Sequence, residues 1–243
     1  MEPVLTRTED ATVFMMDAVT IGAFMPASAE ERVGPVLIIG AQDISRGADV
    51  MYFIPVYEEK DDHANPGKTV LKVRLVLNGS QQKNTSSTYA STPSITEAFI
   101  ILQICAKLGW DYIHIDEDRA FLKANLPEGE QVRYGRIRGM PEYFKILTSI
   151  YGMKDTMRIY LDKQAERMES LGYRRLATAS NIFVKTEGNL KFVAFIYVDD
   201  FLFCGTDTTA VLADICKLRE IITTKEPIIN PSKFIGLELT RDN

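Results

Sequence analysis

Two adjacent acids, Asp199 and Asp200, interrupt what would otherwise be one apolar strand running from Phe195 to Cys204. An ionised carboxylate cannot lie inside a packed sheet without a partner, so a buried β-run that meets two of them has to turn there. The halves Phe195-Ile-Tyr-Val198 and Phe201-Leu-Phe-Cys204 then fold back on each other, with the acids at the tip of a hairpin. Asp is a common turn residue, and a plain tight turn between two core strands is one reading of the segment. The other is a rim of carboxylates that holds divalent cations. Neighbouring carboxylates repel unless a proton or a cation offsets their charge, and Mg²⁺ takes hard oxygen ligands.

A third acid extends this second reading. Apolar residues recur at helical intervals from Ser94 to Leu108, with Ser94 or Thr96 as N-cap, Glu97 in the first turn and Gly109 as the stop. Trp110-Asp-Tyr-Ile-His-Ile-Asp116 then reads as a strand ending on an acid, with Glu117 and Asp118 as local competitors for its role. If that strand neighbours the hairpin, Asp116, Asp199 and Asp200 share one rim, an arrangement suited to two-metal phosphoryl transfer.

The remaining elements follow from pattern. Met51–Tyr57 and Thr69–Leu77 read as a hairpin with a long polar tip that includes the turn signal Asn65-Pro-Gly67. A second helix is expected over Thr156–Leu171, stopped by Gly172, and short strands over Ile182–Lys185, Phe192–Val198 and Phe201–Cys204. This order suggests an α+β fold rather than alternating βαβ units, and no glycine-rich phosphate loop opens a helix.

Composition narrows the chemistry. With 46% hydrophobic residues the chain can bury a sizeable core, yet its longest apolar runs fall short of a membrane span. The first ten residues lack the pattern of a signal peptide, so no membrane partner and an intracellular location are expected. Cys105, Cys204 and Cys216 each sit in apolar contexts and are expected to be buried free thiols. His63 and His114 are the only histidines, so any metal site must be built from carboxylates. The net charge of −5 conceals a surplus of five cations between Gln131 and Leu176. Either a basic face on an acidic body or a solvated helix face would account for it.

Tyr197-Val-Asp-Asp200 resembles the Tyr-X-Asp-Asp motif of reverse transcriptases, and further segments match copia-type retrotransposon enzymes in the same order. Leu71-Lys-Val-Arg-Leu-Val-Leu-Asn-Gly79 is similar to their Lys-Ala-Arg-Leu-Val-Ala-Arg-Gly, and Gln81 or Gln82 falls where they have a glutamine. Ile115-Asp-Glu-Asp-Arg-Ala-Phe-Leu122 is similar to Leu-Asp-Val-Lys-Thr-Ala-Phe-Leu, a register that selects Asp116 over Asp118. Ser149-Ile-Tyr-Gly-Met-Lys-Asp-Thr-Met-Arg158 resembles Ser-Leu-Tyr-Gly-Leu-Lys-Gln-Ala-Pro-Arg, and Phe234-Ile-Gly-Leu-Glu238 resembles Phe-Leu-Gly-Ile-Glu. Together the matches run from about Met51 to Leu239.

The resemblance implies an RNA-directed DNA polymerase core of fingers and palm. Fingers are expected at 51–90 and 124–153, and a palm with an antiparallel sheet packed on helices at 91–123 and 154–243. Residues 1–50 would be an N-terminal extension that begins the fingers, and the thumb would be absent or truncated. Asp116, Asp199 and Asp200 would be the catalytic acids, ligating two Mg²⁺ or substituting Mn²⁺, with the backbone carbonyl of Glu117 as an extra ligand. Lys72 and Arg74 would face the triphosphate, and Tyr197 would lie in the substrate site. Phe121 would either exclude a ribose 2′-hydroxyl or serve as a core aromatic. The implied partners are an RNA or DNA template-primer, deoxynucleoside triphosphates and other parts of a retroelement polyprotein.

Departures from the pattern leave a second function open. Asp155-Thr-Met157 stands where the family has Gln-Ala-Pro, beside the nucleotide sugar, Ile159 replaces a tryptophan and Ser80 an aromatic residue. An acid at 155 would repel a triphosphate or compete for metal. The alternative is a domesticated reverse-transcriptase-like domain acting as a scaffold or nucleic-acid-binding module.

Overall fold

The computed structural model describes residues 32–33, 36–61, 67–83, 87–91, 93–118 and 120–240, without the side chains of 32, 33, 60, 61, 70, 72 and 73. Most of the expected N-terminal extension, His63 and the Asn65-Pro pair therefore lie outside the described residues. In chain order the elements begin with β1 (Arg32–Val33), β2 (Val36–Ile39), β3 (Asp49–Asp61), β4 (Thr69–Leu77), α1 (Ile95–Leu108) and β5 (Tyr112–Asp116). They continue with β6 (Arg133–Arg136), β7 (Tyr143–Ile146), α2 (Thr156–Ser170), β8 (Arg174–Arg175), β9 (Ile182–Glu187), β10 (Leu190–Tyr197) and β11 (Asp200–Gly205). The last are α3 (Thr208–Ile221), β12 (Ile228–Ile229), β13 (Lys233–Phe234) and β14 (Leu237–Glu238). The chain is α+β, as its element order suggests, and divides into two compact units.

The first unit comprises Met1–Asn84 and Gly129–Lys154. Its sheet has the order β1-β2-β7-β6-β3-β4, with only the β3–β6 pair parallel. The expected hairpin is β3–β4, paired from Phe53↔Leu77 out to Asp61↔Thr69. Two segments far apart in sequence meet here backbone to backbone: Leu77 N–H donates to the Tyr151 carbonyl at 2.8 Å. A side chain at Gly79 would strike the Gly152 carbonyl, and one at Gly152, where φ is +92°, would strike that of Leu77. The glycines of both motif-like segments are thus required by close approach. Both glutamines are engaged nearby, Gln81 Oε1 accepting from Tyr52 N and Gln82 Oε1 from Lys154 N, each at 2.7 Å.

The second unit comprises Thr85–Glu128 and Asp155–Asn243. Its sheet, β12-β5-β11-β10-β9-β8, is antiparallel throughout. Helices cover both faces, which explains why its strands are apolar on both sides rather than alternating. Phe201, Phe203, Ala194 and Ile196 pack under Ala165 and Met168 of α2 and Val211, Ile215 and Leu218 of α3. Leu202, Cys204 and Phe195 pack under Ala98, Ile101 and Cys105 of α1. Helix α1 starts and stops where the sequence says: Ser94 and Glu97 form a reciprocal capping box, and Gly109 takes the left-handed conformation at φ +67°.

Helix α3 is an element the sequence reading did not name. The thiols need one correction. Cys105 and Cys204 are buried, but Cys216 is exposed, because α3 turns Val211, Asp214, Ile215 and Leu218 inward and leaves position 216 on its outer side. Among the described residues no helix is long and apolar enough to cross a membrane.

Candidate functional site

The hairpin turn forms as the sequence requires. Tyr197 pairs with Asp200 across β10 and β11, leaving Val198 and Asp199 as a two-residue loop. Val198 has φ +57° and Asp199 is not among the positive-φ residues, the pattern of a II′ turn, whose first central position favours glycine. A β-branched residue there is strained. Val198→Gly is expected to stabilise the cation-free chain by roughly 1 kcal/mol, relief of strain outweighing the greater freedom of glycine when unfolded. Denaturant titration measures this, and a destabilised variant would contradict it.

Strand β5 lies beside β11 with Asp116 directly opposite Asp200. Opposed antiparallel residues have Cα atoms roughly 4.5–5.5 Å apart, so all three acids stand at one edge of one sheet. Their neighbours were not anticipated. The segment after α3 runs along the end of β5, Asp118 N–H donating to the Thr223 carbonyl at 3.0 Å and Lys225 N–H to that of Asp116 at 3.0 Å. This brings the Lys225 ammonium 2.9 Å from the Asp116 carboxylate. His114, two residues before Asp116 and therefore on the same sheet face, places Nε2 2.7 Å from Asp200 Oδ1.

Among the described residues, no three His, Cys, Asp or Glu side chains converge closely enough to hold a metal ion. In this arrangement Asp116 and Asp200 are turned toward Lys225 and His114 instead. The donor chemistry nevertheless fits a hard divalent cation: three carboxylates on adjacent backbone positions, with Asp199 still short of compensating charge. Burial, then Asp200 and Asp116, hold the Asp199 carboxyl above the usual carboxylate range, against a backbone hydrogen bond and Lys225.

That shift has a consequence for stability. A carboxyl whose folded pKa exceeds its unfolded one favours the fold fully below the unfolded value and loses that contribution as pH rises through the folded value. The cation-free wild type is therefore expected to gain stability relative to Asp199→Asn as pH is lowered from about 7 into the carboxylate range. Paired denaturation curves measure it; a difference between the two chains that ignores pH would contradict it.

Glu117 follows Asp116, but its side chain points away from the rim. It is buried, accepting from Tyr160 Oη at 2.8 Å, from Arg167 Nη1 at 3.0 Å and from Gln164. Burial raises its carboxyl pKa, opposed by Arg167, Tyr160, Gln164 and Lys123, and burial with Glu117 raises that of Tyr160. The three donors lie at positions i, i+4 and i+7 of α2 and form one helix face. Phe121 is buried edge to face with Tyr160, ring centroids 5.1 Å apart.

Asp155 lies immediately before α2, wholly buried, with Oδ2 3.7 Å from the Arg158 guanidinium, so its charge is offset within its own helix's first turn. Tyr197 packs beside Phe195, centroids 6.4 Å apart. In the first unit Arg74 is paired with Glu58 across the β3–β4 hairpin. Lys72 stands opposite Glu58 in register, but its side chain is outside the described residues.

The profile of the family described as reverse transcriptase (RNA-dependent DNA polymerase) matches residues 49–243. The chain belongs to the reverse transcriptase family. Two relatives are retrovirus-related Pol polyproteins of Arabidopsis thaliana, from transposons RE2 and RE1. They are 25% and 24% identical over 179 and 177 residues, 70% of this chain in each case. The copia-type resemblance read from the motifs is thereby borne out. The chain spans 12% of the length of either polyprotein. A solved structure, the foamy viral protease-reverse transcriptase in complex with double-stranded DNA, is 15% identical with a TM-score of 0.42, over 77% of this chain and 27% of that one.

Proposed function

We propose that this reverse transcriptase family chain is a polymerase core that adds deoxynucleotides to a primer 3′ end on an RNA or DNA template. The observation that carries the reading is the placement of Asp116 opposite Asp200, with Asp199 in the adjoining turn. Reverse transcriptases as a family use divalent metals, and Asp116, Asp199 and Asp200 would hold two Mg²⁺, or Mn²⁺ in its place, with the Glu117 carbonyl as a further ligand. Bound cations supply charge stabilisation at the attacking and leaving oxygens of an in-line displacement.

The remaining work falls to the chain's own groups. The strained Val198–Asp199 turn presents a carboxylate at a defined place on a rigid sheet edge, which spares reorganisation during reaction. Lys72 and Arg74, on the β3–β4 hairpin, would supply positive charge to the triphosphate. Tyr197 and Phe121 would border the nucleotide, Phe121 from a buried position against Tyr160. Asp155, at the family's glutamine position beside the sugar, would face the nucleotide with Arg158 as a neighbouring counter-charge. The partners would be template-primer, deoxynucleoside triphosphates and the rest of a retroelement polyprotein.

The Asp116–Lys225 ion pair, with the hydrogen bond between His114 and Asp200 beside it, favours a second reading, in which Asp116 is compensated internally and the domain is a scaffold or nucleic-acid-binding module. Extension of a DNA primer on an RNA template by the wild type and by Asp116→Asn decides between them. Extension that needs Mg²⁺ or Mn²⁺ and is lost in the variant supports the polymerase; equal background from both supports the scaffold.

A further inference from the structure

We propose that Glu117 and Tyr160 are positioning residues for the carboxylate rim, an inference that rests on the cation-binding reading above. Glu117 holds the turn by two routes. Its backbone N–H donates to the Asp199 carbonyl at 2.8 Å. Its carboxylate holds the Tyr160 hydroxyl, which also stands 2.8 Å from the Val198 carbonyl. The single Tyr160 hydroxyl proton is shared between these two acceptors and links the Val198 carbonyl to Glu117, while the backbone bond links the Asp199 carbonyl to the same residue. The separation between Asp116 and Asp199 is set by these ties as well as by strand pairing.

The anchor is itself held from α2. Arg167 and Gln164 bind the same carboxylate from α2, and Tyr160 is fully buried with its ring against Phe121. The copia-type motif has a valine where this chain has Glu117. Groups one step removed from a ligand fix its orientation, and their loss commonly weakens metal affinity about 10- to 100-fold.

The test is Mn²⁺ binding to the full chain, read by the electron paramagnetic resonance of free Mn²⁺ without nucleotide or primer. Tyr160→Phe removes one oxygen while keeping the ring, and is expected to weaken Mn²⁺ about tenfold. Glu117→Val, which removes the carboxylate that accepts from that hydroxyl, should match Tyr160→Phe. The double variant Tyr160→Phe with Glu117→Val should be no weaker than either single one, because both break the same tie. A merely structural role would lower the melting temperature and leave Mn²⁺ affinity unchanged, which would overturn the inference. So would additive losses in the double variant. Asp199→Asn separates this from the underlying reading. If it abolishes Mn²⁺ binding while Tyr160→Phe does not weaken it, only the positioning role fails; if Asp199→Asn binds Mn²⁺ like the wild type, the cation site itself fails.

Discussion

Asp199→Asn is expected to lower templated nucleotide incorporation about a thousandfold or more while leaving the cation-free fold no less stable than the wild type. The first effect follows from magnitude: cation-mediated charge stabilisation is worth several kcal/mol, and each 1.36 kcal/mol is a factor of ten in rate. The second follows from electrostatics. Asp199 is held above the usual carboxylate range by burial and by two neighbouring carboxylates, so its charge is a liability when no cation is present. An amide of the same shape removes that repulsion and leaves the Glu117–Asp199 backbone bond in place. Relief of that repulsion is expected to raise the melting temperature rather than lower it. Single-turnover incorporation and thermal unfolding in chelator measure the two halves. Loss of both activity and stability would instead mark Asp199 as a structural turn residue.

Arg167→Met is expected to have the largest effect on stability at the site, about 3–5 kcal/mol. Arg167 Nη1 is 3.0 Å from Glu117 Oε1, and the Glu117 side chain is 0% exposed. Removing the guanidinium leaves a buried carboxylate with only neutral donors, Tyr160 and Gln164. Because burial already raises the Glu117 pKa, the variant should recover stability as pH falls and that carboxyl takes a proton. Adding Glu117→Val, the copia-type residue, should restore most of the loss, since a buried pair replaced by apolar groups is often neutral. Recovery should be incomplete, because Gln164 loses its acceptor, at a cost of roughly 1–3 kcal/mol. Denaturant titrations of the two single variants and the double one measure this. A double variant no more stable than Arg167→Met would contradict the pairing.

The parts of the fold legible in the sequence are those whose own residues carry a period or a punctuation mark. The β3–β4 hairpin, α1 with Ser94, Glu97 and Gly109, α2 before Gly172, and the strands around the acids all announce themselves locally. Helix α3 also carried a signal that went unread: Asp207 caps the Ala210 N–H at 2.8 Å, and Val211, Ile215 and Leu218 recur at helical spacing. Strands β2, β6 and β7 are four residues each, too short for alternation to stand out, and their order in the sheet depends on long-range pairing.

At the candidate site the acids were legible because charge inside an apolar run demands a reason. Their neighbours Lys225 and His114 were not. Lys225 reaches Asp116 only because the segment following α3 pairs with the end of β5, 109 residues away in sequence. Glu117 shows the limit of residue type as a guide. An acid beside a presumed ligand reads as a competitor for metal, whereas its side chain faces Tyr160, Gln164 and Arg167, polar residues that would ordinarily mark the solvated face of α2.

The most direct test of the carboxylate rim as a polymerase site is incorporation of a single labelled deoxynucleotide opposite each template base, on RNA, against Mg²⁺ concentration. The expected result is incorporation of the complementary nucleotide only, rising with Mg²⁺ and absent in Asp199→Asn. Incorporation that is independent of the cation, or equal in wild type and Asp199→Asn, would contradict it.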